Sequence, residues 1–125
     1  MIAGIGVDIV EIARIARLLE RHPDRFRRRI LRDEEVRAFK HLFPEAAYIA
    51  RQFAAKEAVS KALGTGMRSG VHFRNIVVLR DEKGMPVVRL DDAADKRLDA
   101  LGGKSVMVSI SDEREYAIAY AVVCC

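Results

Sequence analysis

The stretch that most constrains the fold runs from Pro44 to Gly66. Proline suits a helix start, because the N–H it lacks is one that the first turn leaves unbonded anyway. The pattern predicts a helix to about Leu63, with Gly64 as a natural stop. Its second half, Phe53-Ala54-Ala55-Lys56-Glu57-Ala58-Val59-Ser60-Lys61-Ala62-Leu63, sets a carboxylate, two ammonium groups and a hydroxyl among Ala, Val, Leu and Phe. A Gly64-Thr65-Gly66 loop follows. Such a stretch has the groups to hold a metal ion and a phosphorylated ligand together.

The rest of the chain is read around this helix. Residues 2–10 (Ile2-Ala3-Gly4-Ile5-Gly6-Val7-Asp8-Ile9-Val10) are β-branched and Gly-rich. They predict a buried strand whose apolar run is interrupted by Asp8. From Glu11 the period changes. Ile12, Ile15 and Leu19 mark one helical face and Arg14, Arg17 and Arg21 roughly the opposite one. That helix should stop near His22, ahead of Pro23. Asp33 is the expected N-cap of a helix from Glu34 to about Leu42. Strands are expected over 75–80 and 86–90 around an Asp81–Gly84 turn, then a helix over 91–101. Two last strands, 104–111 and 116–123, flank the polar turn Asp112-Glu113-Arg114-Glu115. Strands and helices are grouped and do not strictly alternate. The fold class is therefore α+β, a mainly antiparallel sheet packed against helices that include one long helix. With 125 residues, the chain is expected to be a single domain, 1–125.

Composition narrows the class. Apolar residues make up 50% and charged residues 32%, an ordinary globular balance. No apolar run approaches the ~20 residues of a membrane span. The start, Met1-Ile2-Ala3-Gly4, carries no basic segment ahead of an apolar one, so a cytoplasmic protein is the expectation. Cys124 and Cys125 are adjacent and cannot form a framework disulfide. The net charge of +4 is uneven. Arg14, Arg17, Arg21, Arg25, Arg27, Arg28, Arg29 and Arg32 are opposed only by Glu20 and Asp24 within residues 14–32. Such density suits an anionic partner: nucleic acid, a membrane surface or an acidic protein, if it is not simply a solvated face.

Glu57 and Lys61 lie four apart on one helical face, and alone they read as an i,i+4 ion pair worth about 0.2–0.5 kcal/mol. Asp8 changes that reading, since a carboxylate within a buried strand is costly unless paired or bound to a cation. Two carboxylates from separate elements, with open positions left over, suit Mg²⁺, which usually keeps waters and substrate phosphates. Lys61 would neutralise a phosphate beside it. Gly64-Thr65-Gly66 follows its helix, so anion binding there would rely on loop N–H groups and Lys61, and a plain helix stop is equally served. His22, His41 and His72 show no metal-ligand spacing and read as surface or loop histidines. Ser109 and Ser111 read as strand residues.

Three segments, Gly4–Ile12, Phe53–Gly66 and Val108–Asp112 followed by Tyr116-Ala117-Ile118-Ala119, in that order and spacing, resemble the bacterial holo-acyl-carrier-protein synthases. These are the small type of 4′-phosphopantetheinyl transferase. The likeness covers nearly the whole chain. It implies transfer of the 4′-phosphopantetheine arm of coenzyme A to a serine of an apo-acyl carrier protein, with release of adenosine 3′,5′-bisphosphate, in support of fatty acid biosynthesis. It implies Asp8, Glu57 and Lys61 as the catalytic set, with Mg²⁺ on Asp8 and Glu57 and also held by the coenzyme A pyrophosphate. Lys61 would lie beside that pyrophosphate, and Gly64, Thr65 and Gly66 would contact the cofactor. Arg51, Lys56 and Arg80 are candidates for its 3′-phosphate. The carrier protein, small and acidic, would dock on Arg14, Arg17, Leu18, Arg21, Arg25, Phe26 and Arg28. Glu57, directly or through water, would accept the serine proton. Family members form homotrimers with the active site at a subunit interface, and the resemblance implies the same here. Several members carry histidine where Asp112 stands, so no role of that histidine carries over.

Two other classes compete: a basic nucleic-acid-binding module, and a homologue that binds carrier protein without catalysis. Aromatic residues are only 6% and dispersed, which offers no stacking platform for bases. A binding module has no need of Asp8 and Glu57, and against an inactive homologue stands the retention of Asp8, Glu57 and Lys61.

Overall fold

The computed structural model describes residues 1–40 and 44–125. In chain order the elements are β1 (Ile2–Glu11), α1 (Ile12–Arg21), α2 (Pro23–Ile30), α3 (Asp33–Ala38), α4 (Glu45–Ala62), β2 (Ile76–Arg80), β3 (Pro86–Leu90), α5 (Asp92–Ala100), β4 (Ser105–Asp112) and β5 (Tyr116–Cys124). A single 3₁₀ turn, Phe73–Asn75, precedes β2, so Asn75 is not the strand's first residue as expected. The architecture is α+β with antiparallel pairing throughout, but in two sheets. One has the order β1-β5-β4 and the other pairs β2 with β3. Among the described residues no helix is long and apolar enough to cross a membrane.

The long helix α4 is the centre of the fold. It packs on β1, β5 and β4, and also on α1, α2 and β2. Its composition explains this, because a helix without a polar face must be covered all round. Ile49, Ala50, Ala54, Ala55, Ala58, Val59 and Ala62 are all buried in it. On the facing sheet, Ala117, Ala119 and Ala121 of β5 are buried too, small enough for helix and sheet to lie close.

β1 is the principal correction. It was expected to be buried, yet Ile2, Ile5, Val7 and Ile9 are exposed. Side chains alternate across a strand, and the face turned to α4 is the one bearing Gly4, Gly6, Asp8 and Val10. A methyl group on Gly4 would lie 2.0 Å from the Ala62 carbonyl oxygen, and one on Gly6 2.1 Å from that of Ala58. Strand and helix therefore meet backbone to backbone.

Helix α2 was not expected at all. Pro23 stands at its first position, Asp24 in its first turn and Arg27, Arg28 and Arg29 in its last. That is the charge order the helix dipole favours. For α3 the cap position is Arg32, with Asp33 already helical, and the Glu35 carboxylate accepts the Arg32 N–H at 2.9 Å. The helix expected to run to about Leu42 already ends at Ala38, where Phe39 turns extended; His41 and Leu42 lie outside the described residues. Asp91 caps α5, and Asp112 closes β4 instead of opening the turn.

Candidate active site

The β1–α4 contact sets the site. Because Gly6 lets the strand rest on the helix, Asp8, two residues on and on the same face, arrives beside α4. Lys61 Nζ donates to Asp8 Oδ1 at 3.1 Å and to the Val7 carbonyl at 2.9 Å. Asp8 keeps only 17% of its side chain exposed, whereas Lys61 keeps 50%. Asp8 is thus neither fully buried nor alone. Lys61 reaches across to β1, and among the described residues it forms no ion pair with Glu57, contrary to the i,i+4 expectation.

Glu57 is half-buried. Burial pushes its carboxyl above the ordinary range, and the Asp8 charge pushes the same way, while Lys61 and Arg14 pull it down. Two carboxylates held this close, one of them desolvated, repel each other, and a hard cation with oxygen ligands relieves both effects. Among the described residues no group of three or more His, Cys, Asp or Glu side chains is placed to hold a metal ion by itself. Asp8 from β1 and Glu57 from α4 thus supply two carboxylates, the donor type that a hard cation such as Mg²⁺ takes.

Glu57 opens into a groove of about 550 Å³. Arg14 and Leu18 of α1, and Arg25 and Phe26 of α2, four of the positions expected to meet a carrier, line it. Arg17, Arg21 and Arg28 are exposed outside it, and Arg17 lies 3.6 Å from Glu11. The groove also takes in His22, Arg29, Phe53, Met67 and Phe73, which sequence reasoning did not assign. Phe53 and Phe73 stack with ring centroids 5.1 Å apart, and the Arg14 guanidinium lies 5.8 Å from the Phe53 ring centre. The result is an apolar floor with a cationic rim and one carboxylate at its head.

The Gly64-Thr65-Gly66 loop is a helix cap. Gly64 and Gly66 have φ of 79° and 61°, a region that favours glycine. The Gly64 N–H donates to the Lys61 carbonyl, and those of Thr65 and Gly66 to that of Ser60. Expected to serve an anion, these amides are already spent on the end of α4. Thr65 Oγ1 donates to the Gly66 carbonyl at 2.8 Å and remains half-buried.

Arg51 and Arg80 share a second cavity of about 570 Å³ with Lys40 and Tyr48. Arg51 Nε lies 3.6 Å from Asp112 Oδ1, which gives that acidic position a local partner. Lys56 is not there. It is fully buried, with Nζ 2.7 Å from Glu35 Oε1, and its candidacy for a 3′-phosphate is withdrawn.

Residues 4–121 match the model of the 4′-phosphopantetheinyl transferase superfamily. The chain belongs to that superfamily. It is 50% identical over 123 residues to the holo-[acyl-carrier-protein] synthase of Halorhodospira halophila, covering 98% of both chains. The crystal structure of the Neisseria meningitidis holo-[acyl-carrier-protein] synthase superposes with a TM-score of 0.90 at 42% identity, covering 98% of each chain. That of the Helicobacter pylori enzyme, in complex with coenzyme A, gives 0.84 at 35% identity over 95% of this chain and 98% of that one. Gly4, Gly6, Asp8, Glu57 and Lys61 all fall within the matched span of this superfamily.

Proposed function

We propose that this chain, acting as one domain, transfers the 4′-phosphopantetheine group of coenzyme A to a serine hydroxyl of an apo-acyl carrier protein. The observation that carries this reading is Glu57 at the head of an apolar groove rimmed by arginine, with the Asp8 carboxylate acting on it and Lys61 paired to Asp8. Relatives that share about half of its residues bear the name of that activity. A solved relative has coenzyme A bound.

In the reaction the serine Oγ attacks the β-phosphorus of the pyrophosphate. A new O–P bond forms, the P–O bond to the bridging oxygen breaks, and adenosine 3′,5′-bisphosphate leaves with that oxygen and the electron pair. The serine proton passes to Glu57, directly or through a water. Lys61 stabilises negative charge as it develops on the pyrophosphate oxygens. Asp8 holds Lys61 in place through the 3.1 Å contact. Mg²⁺, when held by Asp8 and Glu57, supplies charge neutralisation to the same oxygens. The groove holds the serine in line with the scissile bond, which is where much of the rate gain of such a transfer arises.

The carrier docks on α1 and α2 through Arg14, Arg17, Leu18, Arg21, Arg25, Phe26 and Arg28. Thr65, at the end of α4, and Arg51 with Arg80 in the second cavity, serve the coenzyme. The working form is a homotrimer built on the bare face of the β1-β5-β4 sheet. The setting is the cytoplasm, in support of fatty acid biosynthesis.

The test is direct. Purified protein is incubated with apo-carrier protein, coenzyme A and Mg²⁺, with and without chelator, and the carrier is weighed. A gain of one phosphopantetheine, lost with chelator, is expected. No gain overturns the activity, and a chelator-insensitive gain overturns the role of the metal.

A further inference from the structure

We infer that Lys56 and Arg74 are positioning residues that fix the carrier-docking groove relative to Glu57. Neither touches the groove, and the inference rests on the transfer reaction proposed above. Helix α2 is only eight residues long, and its last carbonyls have no partner within the helix. Two cations from elsewhere in the chain supply one. Lys56 Nζ, from α4, donates to the Ile30 carbonyl. Arg74 Nη1, from the turn before β2, donates to the carbonyls of Arg28 and Leu31, both at 2.8 Å. Cations are also what the negative end of a helix dipole favours.

The chain neighbours of these cations give the arrangement its consequence. Lys56 precedes Glu57, and Arg74 follows Phe73, and both Glu57 and Phe73 line the groove to which α2 contributes Arg25, Phe26 and Arg29. The two tethers thus set the distance between the wall that would receive the carrier and the carboxylate that would act on its serine. Lys56 is itself immobilised. Glu35, buried with it, accepts from Lys56 Nζ, from Gln52 Nε2 at 2.7 Å, and from the N–H groups of Arg32 and Val78. One carboxylate thereby ties α3, α4 and β2 to the tether on α2. A buried ion pair is weak evidence for stability alone and is better attested where it fixes one arrangement over another.

The experiment compares Lys56→Met and Arg74→Gln with the wild type in steady-state transfer, varying carrier and coenzyme A separately, and measures carrier binding by calorimetry. Both variants are expected to raise the KM for carrier about tenfold, the equivalent of one charge-assisted hydrogen bond. The KM for coenzyme A should stay within about twofold of wild type. Arg74→Lys, which keeps a cation at the helix end, should recover part of the loss. A purely structural role would lower the active fraction, and so the maximal rate, with the carrier KM unmoved, and that result overturns the inference. If Lys56→Met does not fold, Arg74→Gln, which removes a half-buried side chain and strands no buried charge, decides alone. A wild type without transfer activity would count against the proposed reaction, whereas an active wild type with unmoved variants counts against the tethers.

Discussion

Asp8 and Glu57 are held together at a cost. Burial and the neighbouring charge both oppose ionisation of Glu57, an unfavourable term that the proposed Mg²⁺ would remove. Glu57→Gln should therefore raise the stability of the metal-free protein by about 1 kcal/mol, seen as a higher urea midpoint. It should also cut transfer about 10²-fold or more. Full activity at ordinary Mg²⁺ would remove Glu57 from the chemistry. Tyr48 makes a separate, pH-dependent prediction. Its hydroxyl donates to the Glu35 carbonyl at 2.6 Å, and burial, aided by the Glu35 charge, pushes it up to about 12. A folded-state value above the unfolded one near 10 means that the neutral hydroxyl's contribution is complete below pH 10 and is lost as pH rises towards 12. Tyr48→Phe should cost about 1 kcal/mol at pH 8, and urea titrations should show that gap closing above pH 10. At this scale Asp8, Glu57 and Lys61 were legible because their chemistry stands out among small apolar neighbours. Lys56 was not. Consecutive helical residues point about 100° apart, and nothing in the letters Lys-Glu says which of the two faces inward.

Among the elements, β1 shows where a pattern misleads. Gly4 and Gly6 alternate with Ile5, Val7 and Ile9, and the sequence reads as an apolar run whichever face is buried. Only the backbone contact with α4 decides it. Gly6→Ala places a methyl 2.1 Å from one backbone oxygen and 2.7 Å from the Ala62 nitrogen, atoms that cannot step aside as a flexible side chain would. We expect a loss of about 3 kcal/mol in chemical denaturation. Because the strand is levered off the helix, the remaining folded protein should also bind Mg²⁺ more weakly. Weak destabilisation with unchanged metal binding would show that the contact does not position Asp8. Helix α2 was legible in principle, through its proline start and charge order, but it sits so close behind α1 that the basic run looks like one solvated segment. The two helices make a second prediction. Arg14 lies on the groove rim over Phe53, and in the proposed docking it attracts an acidic carrier at long range, so Arg14→Glu should raise the carrier KM about tenfold at low salt. The effect should fade as salt is added, with coenzyme A affinity unaltered. Salt-insensitive loss, or loss of coenzyme A affinity, would refute that assignment.

At the scale of the whole molecule the open question is what covers the outer face of the β1-β5-β4 sheet. The register sets Val7 opposite Tyr120, Ile9 opposite Ile118 and Glu11 opposite Tyr116, and Met107 of β4 lies opposite Val122 of β5. Ile5 is 59% exposed and Ile9 61%. A contiguous apolar face of this kind is unusual on a monomer and marks an association surface. The grouping of strands and helices made the α+β class legible, but not the division into two sheets or the orientation of this face, because neither is written in local periodicity. The face is one residue away from the site, since Val7 and Ile9 point outward on either side of Asp8, which points in. Association through it would hold β1, and so Asp8, from the side opposite α4. If the proposed homotrimer is built on this face, Ile9→Lys should convert it into monomers in sedimentation, about 10²-fold weaker in transfer, with a circular dichroism spectrum close to wild type. The wild type should lose specific activity on dilution below its dissociation range. A wild type that sediments as a monomer and keeps full activity would separate this sheet face from the catalytic machinery.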